Sequence, residues 1–389
     1  MTDQTLGAHN IADLREMARR KLPRPIWEYL ERGTEDDITP RNNRATFEQI
    51  EFKPRVMVDV SKRDQSTVLF GQPLKMPIAV GPTGFASLCT YQGEVHLARA
   101  AAAAGVPYVM SCSSLTPMET VMAEAGGSLW FQVVPWADRK LFHALIERAR
   151  VAGFQALLVT VDSPVHGNRE YNRRNGFTIP FTLTWRCALD LLHIHWLSRV
   201  VLANLIRHGR LPRHDNYPPE IGWRMLAGRT AAGQKKTQND AVSWDDLRAL
   251  RKVWPHPLIV KGILHPKDAV LAADCGADGI VVSNHGGRNL DGAISPMKVL
   301  PEIADAVGNR LTVLTDSGFR RGSDVIKALA LGAKAVLLGH APLYGLAAAG
   351  AAGAARALEI FREEIHRDLA LVGCNSVNEL NPEFVSWSK

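Results

Sequence analysis

Residues 279–288 read Gly279-Ile280-Val281-Val282-Ser283-Asn284-His285-Gly286-Gly287-Arg288: a short apolar run, three polar groups, then two glycines and an arginine. An unbroken apolar run of this length reads as a strand buried on both faces. In α/β barrels such strands end on polar residues and a glycine turn, which delivers reactive groups to the C-terminal rim of the sheet. Here the rim receives an imidazole and a guanidinium three residues apart. Imidazole titrates near neutrality, and a guanidinium grips a carboxylate or phosphate through two parallel hydrogen bonds. The pair suits removal of a proton from a small acidic molecule held in place. A turn with a helix-capping His and a surface Arg is the plainer alternative for these residues alone.

Working outward, the same pattern recurs seven more times. Pro77-Ile78-Ala79-Val80 runs into Gly81-Pro82-Thr83-Gly84, residues 107–110 end in Ser111, residues 128–131 in Gln132 and residues 156–161 in Asp162. After a long gap, residues 257–260 end in Lys261, residues 311–315 in Asp316-Ser317-Gly318, and residues 335–338 in Gly339-His340. Between them lie helical candidates at 94–104, 118–125, 138–152, 244–253, 266–275 and 323–331. Eight βα units predict an α/β fold, a (β/α)8 TIM barrel, with the run-ending residues on one face. An open doubly wound sheet is the competing arrangement, but it has no reason to stop at eight. Two short helices, 11–21 and 25–32, precede the first run, with Asn10 as an N-cap; with the residues up to 50 they form an N-terminal helical cap on a single domain spanning 1–389. Tyr29 lies among apolar neighbours there, a core position by default.

Apolar residues make up 46% and charged residues 22%, an ordinary globular composition. Five scattered cysteines without C-x-x-C spacing argue against disulfides or a zinc site, so no metal is expected. The N-terminus lacks a basic-then-apolar signal pattern, which points to the cytoplasmic side. Residues 171–240 hold eleven Lys/Arg against four Asp/Glu and so carry the whole formal excess of +7. No nucleic-acid-binding module is recognisable, and none is expected as a partner.

The last two run ends, Asp316-Ser317-Gly318-Phe319-Arg320-Arg321-Gly322 and Gly339-His340-Ala341, have the glycine amides and cations that hold a phosphate after the seventh and eighth strands of barrels. No dinucleotide or nucleotide-triphosphate glycine motif stands in a strand-to-helix setting, so a cofactor phosphomonoester or a phosphorylated substrate remains. Lys261 closes an apolar run, where an ammonium requires an anionic partner; a Schiff-base lysine, an ion pair or a cation beside a cofactor all fit. Thr83, Ser111, Gln132 and Thr160 add neutral hydrogen-bonding groups suited to the edge of a heterocycle.

Over nearly the whole chain these residues resemble the FMN-dependent α-hydroxy-acid dehydrogenases and oxidases. The signatures S-N-H-G-G-R-x-L-D and D-S-G-F-R-R-G-x-D appear at 283–291 and 316–324, and the segments 292–297, 327–333 and 343–348 are similar to the membrane-associated (S)-mandelate dehydrogenase branch. The resemblance implies FMN as cofactor and oxidation of an L-2-hydroxy acid, mandelate- or lactate-like, to the 2-oxo acid, with electrons passed to a membrane quinone or similar acceptor. An oxidase returning them to oxygen, and a flavin-binding barrel with impaired catalysis, are the alternatives. Carried over by residue, it makes His285 the base, Asp162 its partner, and Lys261 the cation at the N1/O2 edge of the flavin. Arg169 and Arg288 would bind the substrate carboxylate and Tyr29 would hydrogen-bond the substrate. Flavin contacts would come from Pro82, Thr83, Gly84, Ser111, Gln132, Thr160 and Ser283, and phosphate contacts from Asp316, Gly318, Arg320, Gly339 and His340. A homotetramer is implied as well.

Three positions bear on these expectations. Phe131-Gln132-Val133-Val134 has valine where the family pattern carries a second active-site Tyr, so a polar substrate contact is missing. His340 stands where a phosphate-binding Arg is usual, and Gly84, where glycolate-oxidase-like members have Ala, favours the dehydrogenase.

Between the fourth and fifth runs lies an insert of about seventy residues, far longer than an ordinary βα connection. Its centre, 181–206, mixes Trp185, Leu189, Leu191, Trp196, Val200 and Ile206 with Arg186, His193, His195 and Arg199, and is interrupted by charge. It therefore reads as a segment lying in a membrane interface, with Arg207, Arg210 and Arg213 available to anionic lipid; residues 181–213 are the expected membrane-binding part. A helix packed on a neighbouring subunit or closing as a lid is the other reading. The position of the insert matches the membrane-binding insert of the mandelate dehydrogenase branch. His193 and His195 lack a third ligand and are taken as interfacial rather than metal-binding.

Overall fold

The computed structural model describes residues 7–177, 189–218 and 239–388, and at its centre eight parallel strands close into a barrel. The strands are β1 (Ile78–Val80), β2 (Tyr108–Ser111), β3 (Leu129–Val133), β4 (Ala156–Thr160), β5 (Leu258–Ile263), β6 (Gly279–Val282), β7 (Thr312–Thr315) and β8 (Ala335–Leu338). Each pairs with its successor, and β8 closes on β1 through Val336 opposite Ile78 and Leu338 opposite Val80. The open-sheet alternative is thereby excluded.

Alternation along the strands builds two cores. Ala79, Val109, Trp130, Leu158, Ile259, Val281, Leu314 and Leu337 fill the inside of the barrel, while neighbours such as Val80, Val159, Val260, Ile280 and Val313 face the surrounding helices. A hairpin of Thr67–Leu69 and Gln72–Leu74 closes the N-terminal end of the barrel. Its Phe70 ring lies edge-on to Trp130 at 5.7 Å.

Three helices precede the barrel: α1 (Ile11–Lys21), α2 (Arg24–Glu31) and α3 (Ile38–Glu48). Asn10 and Asp13 form a reciprocal capping box at the start of α1, as the sequence pattern anticipates. Helix α3 has no such signal, since the side chain of its N-cap Asp37 turns back to Arg32 and Gly33 and makes no capping bond. Instead the Asp291 carboxylate, from the loop after β6, accepts from the backbone N–H groups of Asp36, Ile38 and Thr39 at 3.1, 3.1 and 2.7 Å. The cap is thus fastened to the same rim that holds His285. The terminal helices His340–Ala349 and Ala351–Val372 cross so closely that Gly345 and Gly353 meet backbone to backbone, with no room for a Cβ on either.

Within the described part of the insert, Ile194 to His208 form one helical rod with a π-helical centre, Leu197–Leu202. Part of the sequence reading of this segment is corrected. Trp196, Leu191 and Val200 are buried, and Trp196 donates its indole N–H to the Leu88 carbonyl at 2.7 Å, so these residues dock the rod to the barrel. Leu189, Leu192, Ile194, Leu202, Leu205 and Ile206 form the exposed apolar set. Arg210 and Arg213 are both held by Asp215, at 2.8 and 2.7 Å, whereas Arg207, exposed like Arg213, has no carboxylate partner among the described residues. Trp185, Arg186 and Cys187 lie outside the described residues. Among the described residues no helix is long and apolar enough to cross a membrane.

Candidate active site

The C-terminal ends of β4, β5 and β6 place three functional groups side by side. At Gly262, β5 bulges with φ of 108°, and a Cβ there would strike Asp162 at 2.6 Å. Only glycine lets the end of β4 lie this close. Asp162 Oδ1 stands 2.7 Å from His285 Nδ1. It also accepts from the Ser163 hydroxyl at 2.9 Å and the Asn289 amide at 3.1 Å. Burial, the largest influence on Asp162, works to raise its pKa, but His285 and Lys261 more than offset it and hold the carboxyl at about 2. A carboxylate at Nδ1 fixes the ring with N–H on that side, so Nε2 is the atom free to accept a proton. Asp162 Oδ2 is buried without a hydrogen-bond partner among the described residues.

Lys261 is 4% exposed. Its ammonium donates to the Ser283 hydroxyl at 2.8 Å and pairs with Asp316 Oδ2 at 3.0 Å. Burial would lower its pKa, but Asp316 and Asp162 raise it on balance, so the group stays charged. The Ser283 oxygen also accepts from the His285 backbone N–H at 3.0 Å, which ties base and cation into one cluster. Lys261 is thus an ion-paired ammonium, an arrangement that also suits a cation beside a cofactor.

Beside this cluster, helix α2 brings Tyr29, and the guanidinium carbons of Arg169 and Arg288 sit 5.8 and 5.0 Å from its ring centre. Arg169 follows β4, and its Nη2 donates to the Arg288 carbonyl at 3.3 Å; Arg288 donates to the Arg32 carbonyl at 2.9 Å. Neither has a carboxylate partner among the described residues, while burial and Arg288 lower the pKa of Arg169. Two adjacent guanidinia without a carboxylate partner among the described residues make a receptor for a small carboxylate.

Along β2, β3 and β4 the neutral groups form a chain. Ser111 Oγ donates to Gln132 Oε1 at 2.9 Å, and Gln132 Nε2 donates to Thr160 Oγ1 at 2.9 Å. Thr83 and Gly84 follow β1 with Pro82, and the Thr83 hydroxyl is buried without a partner among the described residues. At the β7 and β8 ends, Gly318 takes φ of 90° beneath Asn43 of α3, and its carbonyl accepts from Arg44 at 2.6 Å. Arg320 donates to the Tyr344 hydroxyl at 3.0 Å. Gly339 is the N-cap of helix His340–Ala349. His340 Nε2 lies 2.8 Å from the Leu30 carbonyl, which requires a proton on that nitrogen. Burial, then Arg320 and Arg288, push its pKa down to about 3, so the ring is neutral where an arginine would carry charge.

These groups fit a flavin mononucleotide. The orphaned Thr83 hydroxyl and the amide and hydroxyl chain from Ser111 to Thr160 match the edge of a heterocycle, Lys261 matches its electron-rich side, and Gly318, Arg320 and a helix N-terminus match a phosphate. The strand-end residues singled out in the sequence as site candidates lie on this one rim, and α2 brings Tyr29 beside it. Sequence reasoning missed Asn289, Ser163 and the Asn43–Asn284 amide pair, whose two hydrogen bonds of 2.9 and 2.7 Å join α3 to the catalytic loop. Asn289 was within reach, since it lies inside the quoted signature; Asn43 carried no signal.

The chain is 40% identical over 378 residues to (S)-mandelate dehydrogenase of Pseudomonas putida, covering 97% of this chain and 93% of that protein. It is 41% identical over 381 residues to L-lactate oxidase of Nostoc sp., covering 97% of both. Among solved structures, the monotopic membrane protein (S)-mandelate dehydrogenase superposes with a TM-score of 0.87 at 38% identity, covering 98% of this chain and 100% of that one. Residues 18–387 match the FMN-dependent dehydrogenases, and the chain belongs to that family.

Proposed function

We propose that this protein oxidises an L-2-hydroxy acid, mandelate- or lactate-like, to the 2-oxo acid with FMN as cofactor, and that its electrons pass to a membrane quinone or similar acceptor. The observation that carries the reading is the meeting of His285–Asp162, Arg169–Arg288 and Lys261 on one rim. Bound FMN supplies the two-electron acceptor. Arg169 and Arg288 grip the substrate carboxylate, which fixes the carbinol carbon, and Tyr29 hydrogen-bonds the substrate. His285 Nε2 takes the proton that leaves the substrate, from the hydroxyl if the hydrogen departs as hydride or from the carbon in a carbanion route. Asp162 stabilises the imidazolium that results, and Lys261 balances negative charge at the ring edge. Pro82, Thr83, Gly84, Ser111, Gln132, Thr160 and Ser283 would hold the flavin ring, and Asp316, Gly318, Arg320, Gly339 and His340 would hold its phosphate.

The exposed apolar side of the rod at 194–208, with Arg207 beside it, supports peripheral attachment to a membrane on the cytoplasmic side. In this reading the rod and the N-terminal helices are parts of one domain spanning 1–389, and the resemblance to the family supports a homotetramer. The L-lactate oxidase among the relatives supports one further reading, in which oxygen is the acceptor and hydrogen peroxide the product. Anaerobic mixing of the FMN-loaded protein with mandelate, lactate, glycolate and longer acids tests both. Bleaching of the flavin is expected, with slow recolouring in air for a dehydrogenase and fast recolouring for an oxidase. Absence of bleaching with every acid defeats both.

A further inference from the structure

Val134 stands where the family pattern carries a phenol, and the structure brings a different phenol, Tyr217, to the neighbouring loop after β2. Residues 211–217, the returning limb of the insert, lie against the loop that follows β2. Asn216 anchors them: its amide donates to the carbonyls of Ser114 and Thr116 at 3.1 and 2.8 Å and its oxygen accepts from the Met118 N–H at 2.8 Å, closing the open N-terminus of helix Met118–Ala125. So anchored, the Tyr217 hydroxyl lies 3.1 Å from Ser113 Oγ and 3.5 Å from Cys112 Sγ. Ser113 in turn borders the cofactor loop, since a Cβ on Gly84 would lie 3.2 Å from Ser113 Cβ and 4.0 Å from the Tyr29 hydroxyl. The rings form an unbroken series from the site outward: Tyr29 to Phe85 at 5.7 Å, Phe85 to His214 at 5.0 Å, His214 to Tyr217 at 4.6 Å.

We propose that this limb of the insert is a wall of the substrate pocket, and that Tyr217, acting through the Ser113 hydroxyl, supplies the polar contact that Val134 withholds. Tyr217 is on this account a positioning residue, and Ser113 the group that meets the substrate. The inference rests on the hydroxy-acid reading above. It also divides the insert in two: the rod at 194–208 faces outward, whereas 211–217 serve the pocket.

The test uses the FMN-loaded full chain with Tyr217→Phe, Ser113→Ala, the double variant, and Val134→Tyr placed in the Tyr217→Phe background. Two readouts are taken: KM and kcat with lactate and mandelate, and titration of the oxidised flavin absorbance with pyruvate and phenylglyoxylate. Loss of one hydrogen bond predicts a rise of roughly three- to tenfold in KM and in the 2-oxo acid Kd for each single variant, with kcat changed less. The double variant should be no worse than either single one, because the two hydroxyls act as a unit, and Val134→Tyr should restore binding. Wild-type constants in both single variants, with FMN content and unfolding midpoint unchanged, overturn the proposal, as does an effect in one single variant alone. If no hydroxy acid bleaches the wild type, the oxidation reading falls, while the 2-oxo acid titration still decides the role of Tyr217.

Discussion

Asp162 and His285 face each other across the gap between β4 and β6 at 2.7 Å, with the carboxylate largely enclosed and the imidazole facing the pocket. Asp162→Asn preserves the shape but removes the charge that stabilises a protonated ring. Flavin reduction by substrate in stopped flow is expected to slow on the order of a hundredfold or more, with FMN content unchanged. The same carboxyl shapes acid stability. Its pKa is held near 2 in the folded protein against an ordinary 3.8. A depressed carboxyl contributes stability that is present above about pH 4 and lost as pH falls toward 2, here on the order of 2 kcal/mol. Urea unfolding across that window should show a steeper acid loss for the wild type than for Asp162→Asn.

Lys261→Met tests the buried cation. The substitution leaves Asp316 enclosed without its 3.0 Å partner and removes the donor to Ser283. Breaking a buried pair on one side typically costs about 3–5 kcal/mol, visible as a lower denaturant midpoint. Lys261→Met with Asp316→Asn should recover part of that loss, because no uncompensated carboxylate remains; equal loss in the single and double variants contradicts the pairing.

His340 is neutral and directs its Nε2 proton to the Leu30 carbonyl. It therefore adds no charge at the phosphate end of the cofactor. His340→Arg restores a cation, and FMN binding to the apoprotein, followed by flavin fluorescence quenching, is expected to tighten by roughly tenfold or more, the worth of a charge-assisted hydrogen bond. Unchanged or weaker binding would show that the helix N-terminus and Arg320 already saturate the phosphate.

The outward side of the rod offers a direct membrane test. Ile194 is 77% and Ile206 72% exposed. Changing both to Lys should abolish co-flotation with vesicles containing anionic lipid while leaving flavin bleaching intact. Trp196→Ala, which undoes the bond to Leu88, should instead destabilise the attachment of the rod to the barrel. Persistent flotation of the double Lys variant argues against this surface as the anchor.

The barrel was legible because each of its strands is a buried parallel run ended by polar residues, a pattern that survives in the residue order alone. The rim chemistry was legible for a related reason: His285, Lys261 and Asp162 each close such a run. Helix α3 and its cap were not, because Asp291 supplies the capping carboxylate from a segment more than two hundred residues away. The rod misled for a similar reason. Trp196 and Val200 look like membrane residues in order, but their helical phase turns them toward the barrel, and the docking partner Leu88 is distant in sequence. Tyr217 was invisible because its meaning depends on Ser113, which no spacing connects to it.

The excursion between β4 and β5 leaves and returns beside the same opening. At its departure Phe177 rests 5.3 Å from the Tyr29 ring, and at its return Tyr217 reaches Ser113. Tyr29 and Ser113 therefore each lean on a described segment of one and the same excursion, so the two sides of the mouth share a single covalent support.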